Sequence, residues 1–272
     1  MPVLKRGWVK LVLVVLGVIW MIPELYMISI SLRSPANAFD PHLIAFPFTL
    51  LNYSIVLSQN PLIRYFDNSL IVTVATVVIV LVVASLSAFG ISILRLRGSG
   101  LVYGLLLVTL MVPLTALVVP LAILLGQLRW INTYEGLIGP YSALGIPFAI
   151  VVLKAFFDEF PREIHEAAVL DGCGAWQLFR MVVLPTVRPA LGFVAVWQFI
   201  TSWNEFFLAL VVMTRSSMKT LPLAPMEYSG MYMANPGALF AILVIIAVPL
   251  ILMYIAVQRV FVAGLLEGAI KG

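Results

Sequence analysis

The sequence predicts an all-α, polytopic integral membrane protein with six spanning helices and one polar helix-turn-helix loop. Three observations carry this. The 272 residues are 62% hydrophobic and only 10% charged, whereas a soluble domain has roughly 25% charged residues. Several runs of about 20 residues are almost free of charge, the length a helix needs to cross a hydrocarbon core of about 30 Å. One stretch breaks the pattern: PREIHEAAVLDGCGAWQLFRMVVLP, from Pro161 to Pro185, is dense in carboxylates at its start.

The first span covers residues 8–32. Lys5, Arg6 and Lys10 introduce its apolar run as they would in a signal peptide, but a cleaved signal ends in small residues of the A-x-A kind. Here Trp20, Met21 and Ile22 lead on to Pro23 and Glu24, so an uncleaved span is expected. The segment 34–67 is rich in Pro, Asn, Phe and Tyr and reads as an ordered outer loop. The second span, 69–94, ends at Arg95 and Arg97, and Gly98-Ser99-Gly100 turns the chain into the third, 101–125. The fourth is 139–157, the fifth 190–213 and the sixth 237–261. Pro113, Pro120, Pro147 and Pro249 fall inside spans, which membrane helices tolerate when neighbours re-satisfy the freed carbonyls. No internal repeat interrupts the chain, so residues 1–272 read as one transmembrane domain.

Six spans place both termini on one side, and Lys and Arg choose that side. Lys5, Arg6, Lys10, Arg95, Arg97, Lys154, Arg162, Arg180, Arg188, Arg259 and Lys271 make eleven on one face. Arg33, Arg64, Arg129, Arg215 and Lys219 make five on the other. Both termini and the loop 158–189 are therefore expected in the cytoplasm. These flanking cations also account for the net charge of +4 without nucleic acid.

Within 158–189, Asp158, Glu159, Glu163, Glu166 and Asp171 put five carboxylates into 14 residues. Burying them at the bilayer centre would cost on the order of 12 to 17 kcal/mol, so the loop lies outside the membrane. Pro161 suits the first turn of a helix, with acids near its positive dipole end. Gly172 suits the left-handed residue that ends one. A second helical run follows, with Trp176, Phe179 and Val183 on one stripe and Pro185 as its close. Ala167 and Ala168 form a small-residue patch that another protein's backbone could approach. A solvated amphipathic helix on lipid headgroups has similar spacing, but such helices carry a cationic polar face.

Enzymatic motifs fail on inspection. His165-Glu166 begins H-E-x-x-H, but Val169 stands where the second His is needed. Gly172-Cys173-Gly174 begins G-x-G-x-x-G, but Gln177 takes the last position. No G-x-x-x-x-G-K-[ST] occurs. Cys173 is the sole cysteine and the two histidines, His42 and His165, lie far apart, so neither a disulfide nor metal-ligand spacing is present. Glu24 and Glu205 are the acids expected inside spans. For Asn204 and Glu205 a polar contact that fixes the bundle and a lining of the solute path stand open, beside a Glu205 that simply snorkels to the outer surface.

Glu166-Ala167-Ala168, three residues, Gly172, nine residues, Val182, one residue and Leu184-Pro185 resemble the EAA loop of ABC-importer permeases. The resemblance extends over nearly the whole chain and points to the MalG-like branch that carries carbohydrates. NYSIVL at Asn52, YFDNSLIVT at Tyr65, INTYEGLI at Ile131, WNEFFLAL at Trp203, TLPLAP at Thr220 and QRVFVAGLLEGAIKG at Gln258 look like that branch. Leu223 and Ala224 depart from it, where the branch often has Gly.

The resemblance implies a mechanism. A helix carrying Glu166, Ala167, Ala168, Asp171 and Gly172, with Leu184 and Pro185 behind it, would dock on a dimer of separate ATP-binding subunits. Those subunits would hold ATP and Mg, leaving this chain without a cofactor. A sister permease, an external solute-binding protein and a sugar, polyol or glycerol-phosphate solute would complete the importer, all within membrane lipid. The competing classes are an ion-coupled transporter or channel, which needs intramembrane charge relays, and an intramembrane enzyme, which needs a catalytic constellation. The sequence shows neither.

Overall fold

The computed structural model describes residues 2–37, 40, 42–44, 46–59, 61–228 and 235–269. Among them every regular element is helical, apart from a single bridge between Arg33 and Phe48. The long helices are α1 (Pro2–Ser31), α3 (Leu62–Ser92), α6 (Glu135–Asp158) and α12 (Pro236–Ala269). Each contains a stretch long and apolar enough to cross a membrane, and the number of spans rises to as many as six if each of two bent pairs is one span.

The first bent pair is α4 (Ser99–Thr109) and α5 (Leu114–Gln127), which meet at 100°. At 11 and 14 residues they reach only about 16 and 21 Å. The continuous span expected over 101–125 is therefore broken. Pro113 sets the break: its backbone is extended (φ −70°, ψ 139°) and it caps α5. It has no N–H to give to α4, and its ring disfavours helix in the residue before it.

The second bent pair begins with α8 (Ala175–Gln177), a π-helical segment Leu178–Val183 and α9 (Leu184–Thr186). It joins α10 (Arg188–Trp203) at 78°. Pro185 was expected to close this run, but the helical path continues through it. The wider π turn, in which the Leu184 N–H donates to the Phe179 carbonyl, relieves the clash a proline ring makes with the carbonyl four residues back. The chain bends instead at Val187. Other boundaries also differ from expectation: α6 starts at Glu135 rather than 139 and α12 runs on to Ala269 rather than 261. The second span starts at Leu62 rather than 69, and the fifth stops at Trp203, followed by a short α11 (Phe207–Val212).

The chain divides into two compact units. One comprises Met1–Ile63 and Leu223–Pro249, the other Arg64–Pro222 and Leu250–Gly272. In the first unit the apolar side chains of α1 from Trp8 to Ile22 are all exposed, as befits a helix sheathed in lipid. Its end is anchored by Arg33, which is buried. The guanidinium donates to the carbonyls of Asp40, His42 and Leu43 and to Ser29 Oγ, and it lies over the Tyr26 ring at 5.4 Å. Asn52, on α2 (Leu51–Gln59), donates to the carbonyls of Ser31 and Arg33 at 2.9 and 2.7 Å. It thereby satisfies acceptors that a helix end leaves orphaned. Gly237 gives it room, because a Cβ there would stand 2.4 Å from Asn52 Nδ2.

In the second unit an apolar cluster draws on α3 (Val80, Ala84, Phe89), α6 (Ile150, Leu153, Phe157) and the π turn (Leu178, Phe179, Val183). Phe89 and Phe179 meet at 5.1 Å. Hydrogen bonds near the first turns of α3 hold the loop after α11. Tyr65 Oη pairs with Ser216 Oγ, Asn68 Nδ2 donates to the carbonyls of Ser217 and Lys219, and Ser69 Oγ accepts from the Leu221 N–H. Tyr134 donates to Asn68 Oδ1.

Candidate functional site: the α7 stripe and the Tyr141–Glu205 seam

The loop 158–189 forms a helix-turn-helix. Its first helix, α7 (Arg162–Leu170), is capped by Pro161, one position ahead of the first turn that the sequence suggested. Gly172 has φ +81°, the left-handed turn expected of it. There the N–H groups of Asp171, Gly172 and Cys173 return to the carbonyls of Ala167, Val169 and Ala168. A Cβ at Gly172 would meet nothing within 4 Å, so the constraint is backbone conformation and not crowding. Gly174 starts the second run, with the Gln177 side chain accepting its N–H at 3.0 Å.

Glu163, Glu166, Ala167 and Leu170 are all exposed. Their i, i+3, i+4, i+7 spacing makes a single helix stripe. Leu170 is 88% exposed, more than any other described large apolar side chain. Ala168 departs from expectation: it is buried in the cluster containing Phe89, Phe157 and Phe179. Adjacent helical residues point about 100° apart, so once Ala167 faces outward Ala168 faces inward. The small outward patch is Ala167 alone. Trp176 is likewise exposed, while Phe179 and Val183 of the same expected stripe are buried. Leu184 and Pro185 are half-buried behind the π turn.

Asn204 and Glu205 lie at the break between α10 and α11. Asn204 ends α10 and donates to the Ile200 carbonyl at 2.9 Å. Glu205 accepts from the Tyr141 hydroxyl at 2.5 Å and from the N–H groups of Leu208 and Ala209 at 2.9 and 3.1 Å. One carboxylate thus caps α11 and ties it to α6, which places its negative charge at the positive end of a helix.

The seam continues along both helices. Tyr141, Gly145 and Phe148 on α6, and Gln198, Ser202 and Glu205 on α10 and the turn after it, line a shared cavity of about 200 Å³ with Trp197 and Thr201. Both sets have i, i+4, i+7 spacing. Gln198 Nε2 donates to Ser202 Oγ at 2.9 Å, and Trp197 packs against Phe148 at 5.0 Å. Gly145 leaves the room that Gln198 fills, because a Cβ there would lie 2.1 Å from Gln198 Oε1. Tyr141, Gln198 and Ser202 were not singled out from sequence, although the matched spacing of polar residues in two apolar runs was there to read. Hydrogen-bonding groups beside aromatic faces suit a hydroxylated solute that also has apolar faces.

Residues 81–266 match the family described as "Binding-protein-dependent transport system inner membrane component". The trehalose/maltose transport system permease protein MalG of Thermococcus litoralis is 31% identical, over 99% of this chain and 98% of its own. The diacetylchitobiose uptake system permease protein DasC of Streptomyces coelicolor is 31% identical, over 98% of each chain. The trehalose transport system permease protein SugB of Mycobacterium tuberculosis is 32% identical, over 93% of each. Among solved structures, a chain of a bacterial ABC transporter involved in the import of the acidic polysaccharide alginate superposes with a TM-score of 0.80. It covers 95% of this chain and 98% of that one at 22% identity, a likeness of fold.

Proposed function

Because the chain belongs to the family of inner-membrane components of binding-protein-dependent transport systems, we propose that it is the permease subunit of an ATP-driven carbohydrate importer and couples to its ATPase through α7. Membership makes it a multi-pass membrane protein that transports rather than catalyses, with an ATPase and a solute-binding protein as partners. Relatives named for trehalose, maltose and diacetylchitobiose support a sugar as the solute. A sister permease would complete the path. ATP and Mg would be held by the ATPase subunits, leaving no cofactor to this chain. Residues 1–272 would act as one transmembrane domain with both termini cytoplasmic.

The α7 stripe carries this reading. It presents two carboxylates, one small residue and an exposed leucine on a helix braced from behind by Ala168 in a packed cluster. A braced helix transmits a push, whereas a free loop absorbs it. The turn at Gly172 and the π turn join α7 to α10, and α6 enters it directly, so motion at α7 reaches both walls of the Tyr141–Glu205 seam. That seam is the proposed lining of the solute path. The test is uptake of labelled sugar into proteoliposomes holding the whole complex and the loaded binding protein. Uptake that needs ATP, and stops when the ATPase partner cannot hydrolyse it, supports the proposal. Uptake driven by an ion gradient without ATP contradicts it.

A further inference from the structure

A second cavity, of about 620 Å³, lies at the ends of α3 and α6 and shares no lining residue with the Tyr141–Glu205 seam. Its charged lining is Arg95, Lys154, Arg162 and His165 against Asp158 and Glu166. Asp158 is already engaged, since Lys154 Nζ lies 2.5 Å from its Oδ2. Two guanidiniums then face one remaining carboxylate, which leaves the cavity cationic.

Arg95 is held there at a cost. Its φ is +47°, a left-handed conformation disfavoured for a residue with a Cβ. The turn after α3 imposes it: the N–H groups of Leu94 and Leu96 return to the carbonyls of Phe89 and Gly90. Leu96 packs over Gly90, where a Cβ would stand 3.2 Å from its Cδ1. Leu94 and Leu96, on either side of Arg95, remain exposed.

Placement identifies the occupant. Both α3 and α6 are long and apolar enough to span a membrane, so their shared end lies at a bilayer surface. Lys154 sits one turn inside that end, its ammonium 5.0 Å from the Tyr103 ring, and Tyr is typical of the headgroup level. A cationic cavity at that depth, lined also by Ile91, Ile93 and Phe160, offers a polar wall to a phosphate, and the exposed Leu94 and Leu96 beside Arg95 offer apolar surface outside it for acyl chains. We propose that this cavity binds the phosphodiester headgroup of an anionic phospholipid, with Arg95 and Arg162 on the phosphate oxygens and the acyl chains along Leu94 and Leu96. Because Arg162 belongs to α7, the lipid would tie the ends of α3 and α6 to the proposed coupling helix. The lipid site itself rests on the membrane placement and not on the identity of the solute.

The test is native mass spectrometry of the purified complex after titration with phosphatidylglycerol, phosphatidylcholine or inorganic phosphate. Retention of phosphatidylglycerol over phosphatidylcholine is expected, falling roughly tenfold for each guanidinium removed in Arg95→Gln and Arg162→Gln. Arg95→Lys with Arg162→Lys should restore most of it, and Arg97→Gln, outside the cavity, should leave it unchanged. An equal fall in Arg97→Gln would reduce the effect to general surface charge and overturn the site. So would displacement of the lipid by inorganic phosphate at matched concentration, which would make it a free-anion site. Loss of ATPase subunits from Arg95→Gln/Arg162→Gln, with lipid retention intact, would assign the cavity to the partner protein instead.

Discussion

The Tyr141 hydroxyl donates to the Glu205 carboxylate at 2.5 Å, joining α6 to the turn between α10 and α11. The same carboxylate caps α11 through Leu208 and Ala209, so one side chain fixes a helix break and an interhelical contact together. Of the roles the sequence left open for Glu205, the structure contains the polar contact. The solute-lining role is compatible with it, because Glu205 also borders the cavity with Gln198 and Ser202.

Substitutions at Glu205 should separate by how many donors they strand. Hydrogen bonds to a charged group contribute about 1.5–3 kcal/mol each. Glu205→Leu leaves three donors unpaired and should cost about 3 kcal/mol or more, enough to reduce the yield of assembled complex sharply. Glu205→Gln keeps one carbonyl oxygen and should assemble at intermediate yield. Tyr141→Phe, which removes a single donor, should be milder than either. Size-exclusion yield of the purified complex checks the order. Wild-type yield for Glu205→Leu would show that the seam does not hold the bundle.

Gly145 and Gln198 should behave as a coupled pair. A methyl at position 145 would collide with the end of the Gln198 side chain, which is flexible and can turn away. Gly145→Ala should therefore assemble normally but lose the Gln198–Ser202 hydrogen bond and slow sugar uptake several-fold. Gln198→Ala should also slow uptake, and adding Gly145→Ala to it should do little more, since the collision is gone. Additive losses in the double variant, measured as uptake rates, would argue against a shared site.

Much of the helical pattern could be read from the sequence because charge-free runs and spanning length coincide. The breaks could not. Pro23, Pro120, Pro140, Pro147 and Pro249 all lie inside helices, while Pro113 alone stands extended at a 100° bend. Composition does not distinguish them, because tolerance depends on what neighbouring helices offer the freed carbonyls. The turn at Gly172 was legible, since glycine between a polar helix and an apolar run has one obvious use. The inward direction of Ala168 was not, because it depends on where α3 and α6 stand. Several residues that carry the family resemblance prove to be fasteners: Asn52 at the end of α1, Tyr65, Asn68 and Ser69 against residues 216–221, and Asn132 against the loop after α11. Asn132 accepts the Arg215 N–H and donates to Thr214.

The eleven-to-five distribution of Lys and Arg predicts an orientation with both termini in the cytoplasm. Reporter fusions after Gly98, after Phe160 and at Gly272 should report cytoplasm. Fusions near Asn52, Asn132 and Met226 should report the outside. A cytoplasmic signal from the Asn52 fusion would reverse the assignment and place α7 on the wrong face for an ATPase.

Coupling through α7 is the central claim, and it is tested most directly by ATPase stimulation in the purified complex on adding sugar-loaded binding protein. Glu166→Lys reverses charge on the exposed stripe. Gly172→Asp forces a side chain into φ +81°, a strain of roughly 1 kcal/mol or more, but meets no atom of its own chain within 4 Å at Cβ. Both variants should therefore insert and assemble, keep basal hydrolysis and lose stimulation. Full stimulation in both would mean that α7 does not carry the signal and merely rests at the membrane surface.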